Sequence, residues 1–435
     1  MTAVPRAALA ALEASGLRLL RAAPPRLHLR LGRRVAHEID LVVVAGAVGA
    51  GEAFARTLVL DGPPAAAAEH PAVISAADDD PANDDPAADD DPADGPLSGH
   101  LPDGTAWWWL PHDPALPGLP LAVDREHVGR WLGGLGVLRS LEQVAYRPGE
   151  RAVLTTAWEP REDEARPDRT VFLKVLPPEA VHPLHRRLRA ALEAGVPVPP
   201  LVAPPHLGVL ALGRVPGVPW RGLLTGPRAD ALDPRAVEDV LDRLPAALAA
   251  EAPDDVGASG TAGRVPAPDA AAAGTGAWRE LLDHATWAAA ALDPATGAQT
   301  GRAADAARTL LDSADPGPVV PVHGDLHPGN LHVGPAGTRV TGLLDADTLG
   351  PGHRVDDWAA LIGHLRAARA DLGAGGTALD GVIARFTRRA GMSADPEALA
   401  ARTAATLLAL AAQPEAPPAA REARRAAAAE VLHGR

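Results

Sequence analysis

Apolar residues along this chain recur at two periods, and the changes of period place the elements. An Ala- and Leu-rich stretch over 7–22 has the spacing of an amphipathic helix. Residues 26–31, 39–45 and 55–60 follow as short apolar runs that read as strands. Between the last two lies Gly46-Ala47-Val48-Gly49-Ala50-Gly51-Glu52-Ala53. It has the outer glycines of a Walker loop but Glu52-Ala53 where Lys-Ser is needed, so it reads as a turn. Three adjacent tryptophans, Trp107, Trp108 and Trp109, alternate across a strand, so at least one faces the other side; core packing is expected. Residues 144–154 read strand, turn, strand about Pro148-Gly149, and 170–176 as an apolar strand. Leu188, Ala191 and Leu192 anchor a helix, 206–213 reads as a strand, and Pro216, Gly217 and Pro219 suit a connector. Later, Leu331-His332-Val333 and residues 339–344 read as two short strands around Gly334-Pro335-Ala336-Gly337, and a helix begins near Trp358.

Composition divides the chain. Nine Asp lie between Asp78 and Asp94 and account for most of the formal charge of −14. A Pro- and Asp-rich stretch buries too little apolar surface to fold, so 77–98 is expected to be a disordered acidic linker. It separates an N-terminal α/β appendage of unidentified type, 1–76, from a body that is strand-rich over 99–213 and continues over 214–435, with a flexible insert near 251–276. The fold class expected is α+β, with an extra N-terminal segment. A length of 435 residues accommodates two lobes and an appendage. The absence of Cys excludes disulfides and thiolate metal sites. Glu13 interrupts the first apolar stretch, no cleavage-like signal follows it, and no apolar run approaches the roughly 20 residues of a membrane span. A soluble, cytoplasmic protein is expected, with no membrane partner. Outside the linker the chain is only mildly acidic, which disfavours nucleic acid as a partner.

The candidate chemistry is concentrated in Val322-His323-Gly324-Asp325-Leu326-His327-Pro328-Gly329-Asn330 and in Asp345 of Gly342-Leu343-Leu344-Asp345-Ala346-Asp347. A hydroxyl nucleophile needs a carboxylate near its proton, and nucleotide phosphates need Mg²⁺ held by hard oxygen ligands. Asp325 suits the first requirement; Asn330 and Asp345 suit the second. Lys174, within Thr170-Val171-Phe172-Leu173-Lys174-Val175-Leu176, is the only lysine in the chain. In a sequence that uses Arg almost everywhere, it marks a place where a compact ammonium is required.

The order His-x-Asp-x₄-Asn followed by a strand-borne Asp is that of protein-kinase catalytic and metal loops. The fuller form, with Leu349-Gly350-Pro351-Gly352 and Asp356-Asp357-Trp358 downstream, resembles the aminoglycoside phosphotransferase and choline kinase family. The resemblance implies a two-lobed protein-kinase-like fold, with a small β-rich lobe over 99–213 and a mostly helical lobe over 214–435, and transfer of a phosphoryl group from ATP, or GTP, with Mg²⁺, to the hydroxyl of a small molecule. It implies Asp325 as the catalytic base, Asn330 and Asp345 as metal ligands, and Lys174 on the phosphates, with Arg147, Gly149 and Arg151 in the hairpin that covers the nucleotide. It gives His323 and Asp357 supporting roles on the loop; His327 either supports the loop or contacts the acceptor, and Asp347 is a candidate for a second metal. The acceptor pocket is expected from the helices, with Trp278, Glu280, Asp283, His284, Trp287, Arg366 and Arg369 as candidates.

Two departures accompany the resemblance. Kinases pair the strand Lys with a Glu on the next helix, and counting back from Gly195-Val196-Pro197-Val198-Pro199 to the family's position reaches His185. Either His185 orients Lys174 differently or Glu179 substitutes. Arg214 stands where the family often has an acidic residue. The missing Glu keeps open a catalytically silent nucleotide-binding or scaffold protein of the same fold. A metal-dependent phosphoesterase, hinted at by Gly324-Asp325-Leu326-His327, lacks the Asp-x-His and Gly-Asn-His elements that chemistry needs. The acceptor's identity and the oligomeric state are not set by the sequence.

Overall fold

A computed structural model of the chain describes residues 4–30, 34–45, 53–62, 69–70, 96–160, 169–250 and 276–434. Most of the expected linker, the 46–52 turn and the insert near 251–276 lie outside them.

The small lobe is a four-stranded antiparallel sheet in the order Val209–Gly213, Arg169–Val175, Arg151–Glu159, Val137–Arg147. Period-2 burial along Arg151–Glu159 turns Ala152, Leu154 and Trp158 into a core shared with Leu173, Val175 and Ala211. The helix Pro178–Glu193 packs Ala180, Leu184, Leu188 and Ala191 into the other large cluster, which runs on into the helical lobe. The turn at Leu207 and Gly208, both at positive φ, delays the next strand to Val209, three residues later than the apolar pattern suggested.

The connector 214–217 leads to Val218–Pro219, which pairs with Leu331–Val333; that strand in turn pairs with Val340–Leu343. Leu343 N–H donates to the Pro197 carbonyl at 2.8 Å, so the segment after the small-lobe helix is tied to the strand that precedes Asp345. A second small sheet, Val319–Val322 against Gly350–His353, brackets the motif on its other side. Helices Gly276–Leu292, Pro294–Ser313, Arg354–Leu372, Pro396–Ala411 and Pro418–His433 make up most of the large lobe.

The N-terminal segment adds a six-stranded antiparallel sheet. Its path runs Leu17–Ala22, Arg34–Ala45, Ala53–Gly62, Ala106–Trp109, Ser98–His100, with Arg26–Arg30 also paired to Arg34–Ala45. The helix expected over 7–22 ends at Ala14: Gly16 takes φ +67°, and Leu17–Ala22 is a strand. Leu and Arg are good helix formers, but pairing with Arg34–Ala45 outweighs that propensity. All three tryptophans are buried. Trp107 and Trp109 belong to the N-terminal core with Ile39 and Leu58, whereas Trp108 faces the small-lobe core.

Candidate active site

Two strands deliver the 323–330 loop, and backbone hydrogen bonds rather than packing fix its shape. Asp357, the fourth residue of the helix Arg354–Leu372, is fully buried and accepts from His323 N–H at 3.0 Å and Gly324 N–H at 2.9 Å. Burial pushes its carboxyl above the ordinary range, against the pull of Arg354, His323 and those N–H groups. His323, also fully buried, meets the Leu344 carbonyl through Nε2 at 2.8 Å, and its own carbonyl accepts from Thr348 Oγ1 at 2.8 Å. Gly324 sits at φ +79°, and a Cβ there would stand 2.9 Å from Thr348 Cβ, so only glycine fits.

Held this way, the loop presents Asp325, 7% exposed, to a cavity of about 510 Å³. Among the described residues no group donates a hydrogen bond to its carboxylate. Asn330 Nδ2 donates to the Asp325 carbonyl at 2.9 Å, which leaves its Oδ1 as the acceptor end, and its carbonyl accepts from Leu344 N–H at 2.8 Å. Asp345 follows directly, in the left-handed region at φ 55°. Asp is one of the few non-glycine residues that tolerate this conformation, which aims its carboxylate back at the loop.

The small lobe supplies the cations. Lys174 Nζ lies 2.7 Å from Asp345 Oδ1 and 2.5 Å from Asp347 Oδ1. Arg151 Nη1 meets both Asp345 oxygens, at 3.0 and 2.9 Å, and Asp347 Oδ2 at 3.5 Å. Burial disfavours the Arg151 cation, but Asp345 and Asp347 outweigh it and its pKa is raised. Two cations and two carboxylates, all with side chains less than one-fifth exposed, thus converge beside Asp325. His185 and Glu179 do not join them. From the same helix comes Arg187, 6% exposed, whose Nη1 reaches the Asp347 carbonyl at 3.3 Å.

The hairpin 147–150 is braced by groups the sequence did not single out. Trp108 Nε1 donates to Tyr146 Oη at 2.8 Å, and Tyr146 donates to Asp113 at 2.8 Å. Asp113 also accepts from Gly149 N–H at 2.6 Å. The Gly149 N–H is thus engaged by Asp113, whereas Arg147 and Arg151 line the cavity. His327 Nδ1 accepts from Gly329 N–H at 3.0 Å, and its ring stacks on His364 at 4.6 Å. Burial lowers the His327 pKa, with Asp325 opposing.

The far wall of the cavity is formed by Arg221, His364, Asp371, Gln413 and Arg424. Arg424 clasps Asp371 with two contacts, at 2.9 and 2.7 Å. None of the seven acceptor-pocket candidates lines this cavity. Trp278 is buried and donates to Asp356 at 2.9 Å; Asp283 pairs with Arg308; the His284 ring lies tilted against Trp287, with centroids 5.5 Å apart; Arg366 and Arg369 line a separate cleft with Asp380 and Glu430. All seven lie on helices, whose faces the sequence could not orient towards the loop.

The family model described as the phosphotransferase enzyme family matches residues 160–391, more than half of the chain. The chain belongs to this family. Solved structures similar to this phosphotransferase include the aminoglycoside phosphotransferase APH(3'')-Id from Streptomyces rimosus, with 18% identity over 65% of this chain and 99% of that one, at a TM-score of 0.37. A choline/ethanolamine kinase family protein from Mesorhizobium loti shows 16% identity over 68% and 88%, at 0.41. The macrolide 2'-phosphotransferase MphH from Brachybacterium faecium shows 20% over 72% and 98%, at 0.38. No curated protein matches the phosphotransferase. Among the described residues no helix is long and apolar enough to cross a membrane.

Proposed function

We propose that this phosphotransferase moves the γ-phosphoryl group of ATP or GTP to a hydroxyl of a small molecule. The observation that carries the reading is the convergence of Lys174 and Arg151 on Asp345, within the same cavity wall as the unengaged Asp325 carboxylate. Mg²⁺ suits the donor set. Among the described residues no three acidic or His side chains are placed to hold a metal ion together, and Mg²⁺ needs no such group, since one or two protein oxygens with phosphates and water complete its shell. Asp345 and the Oδ1 of Asn330 would hold the ion, which would neutralise charge on the transferring group. Lys174, Arg151 and Arg147 would bind phosphates. Asp325 would orient the acceptor hydroxyl and take its proton. His323 and Asp357 keep the loop in place, and His327 with His364 walls the acceptor side. No Trp, Tyr or Phe among the described residues lines the cavity, so a quaternary ammonium acceptor lacks its usual aromatic cage there.

The test is thermal unfolding with ATP or GTP, with and without Mg²⁺, on the wild type, Lys174→Ala and Asp345→Ala. Nucleotide at 100 times its Kd stabilises by about 2.7 kcal/mol. A Mg²⁺-dependent stabilisation lost in both variants supports the reading and names the donor. No stabilisation of the wild type by either nucleotide refutes it and favours a scaffold role, which the missing helix Glu also suggests.

A further inference from the structure

Kinases keep the phosphate-binding Lys aimed by pairing it with a carboxylate that reaches across from the neighbouring helix. Here the helix Pro178–Glu193 offers no such carboxylate: its buried face presents Ala180, Leu184, Arg187, Leu188 and Ala191. Lys174 nevertheless has an acidic partner besides Asp345. Asp347, two residues further along, places Oδ1 2.5 Å from Nζ, with the Asp347 side chain 12% exposed. The helix still takes part, with the opposite sign: the Arg187 guanidinium binds the Asp347 main-chain carbonyl at 3.3 Å, and Arg187 is itself 6% exposed. A helix cation thus holds the loop, and the loop carboxylate holds the lysine.

We infer that Asp347 is the positioning residue for Lys174, standing in for the helix glutamate of other kinases, with Arg187 fixing the backbone from which it acts. This rests on the proposed nucleotide site and adds to it a division of labour between two carboxylates two residues apart. Asp345, which Arg151 also grips with both oxygens in reach, is the one assigned to the metal. Asp347 stays with Lys174. An amide at 347 removes the charge that anchors the ammonium without changing the side-chain volume.

The experiment is a double-mutant cycle on nucleotide binding, with Asp347→Asn, Lys174→Met and their combination, read by calorimetry with ADP both in EDTA and in Mg²⁺. The single Asp347→Asn change is expected to weaken ADP about tenfold in both buffers, and to have no further effect when Lys174 is already Met. Arg187→Met should weaken ADP in the same direction. A charge-restoring variant, Asp347→Asn with Arg187→Glu, returns a carboxylate from the helix and should recover part of the loss. Equal or tighter ADP binding by Asp347→Asn overturns the inference. So does a loss seen only in Mg²⁺, which would make Asp347 a metal ligand, or a loss that persists in the Lys174→Met background. Because wild-type binding is measured in the same series, a wild type that does not bind ADP overturns the nucleotide site itself. A bound wild type with an indifferent Asp347→Asn overturns this inference alone. Unaltered circular dichroism and unfolding cooperativity in each variant separate positioning from misfolding.

Discussion

Two carboxylates on either side of Gly324 differ in what reaches them. Asp357 has both oxygens occupied by backbone N–H groups and no exposure, whereas the Asp325 carboxylate faces the cavity and accepts nothing among the described residues. The first is built to hold a loop and the second to meet a ligand. Asp325→Asn keeps shape but cannot take a proton, so kcat should fall about 10²- to 10⁴-fold while nucleotide Kd stays at the wild-type value, measured by coupled assay and calorimetry. Asp357→Asn turns one acceptor into an NH₂ donor that opposes an N–H. A buried donor left facing a donor costs about 1–3 kcal/mol. Chemical denaturation should show that loss, together with a fall in kcat, because the loop that carries Asp325 is released. A variant as stable and active as wild type would show that the two N–H contacts contribute nothing.

Elements show where reading the sequence succeeds and stops. The loop and the two strands that follow it were legible because spacing within a few dozen residues defines them, and Lys174 because it is the only lysine; the structure brings Asp325, Asn330, Asp345, Lys174 and Arg151 together. Asp113, Arg187 and the wall residues His364, Asp371, Gln413 and Arg424 come from distant segments, several on Ala-rich helices whose hydrophobic spacing does not distinguish one face from another. The helix expected over 7–22 failed for a related reason, since only a partner strand tells Leu17–Ala22 to extend. Asp113 yields a prediction at this scale. It accepts from Tyr146 and from the Gly149 N–H, so Asp113→Ala frees the tip of the hairpin that carries Arg147 and Arg151. KM for the nucleotide should rise about tenfold, with a smaller change in kcat, and amide exchange should accelerate at 147–150. Unchanged exchange there would mean the turn holds its shape without Asp113.

Across the whole molecule, the N-terminal segment is stitched into both lobes. Val59 enters the small-lobe core beside Trp108, while Leu29 and Val35 pack into the helical cluster that contains Trp278, Leu282, Leu407 and Leu408. That cluster lies along the helix bearing His284, which is 6% exposed, lies tilted against Trp287 and has no hydrogen-bond partner for its Nε2 among the described residues. Burial alone pushes the His284 imidazole down to about 4 from an ordinary 6.5. The sign of the consequence follows from proton counting. Between pH 6.5 and 4 the unfolded chain binds a proton at His284 that the folded chain refuses, so stability is complete above 6.5 and declines as the pH falls towards 4. Between pH 7.5 and 4.5 the loss assigned to this one residue is about 2–3 kcal/mol. His284→Phe keeps a ring against Trp287 and removes the titration, so its denaturation free energy should drop by that much less than wild type over the same pH interval. The comparison is a difference of differences, which cancels the carboxylates common to both proteins and any fixed cost of the larger ring. Equal losses in the two proteins would mean that the helical core admits the protonated imidazole, and that His284 is better hydrated than its packing shows.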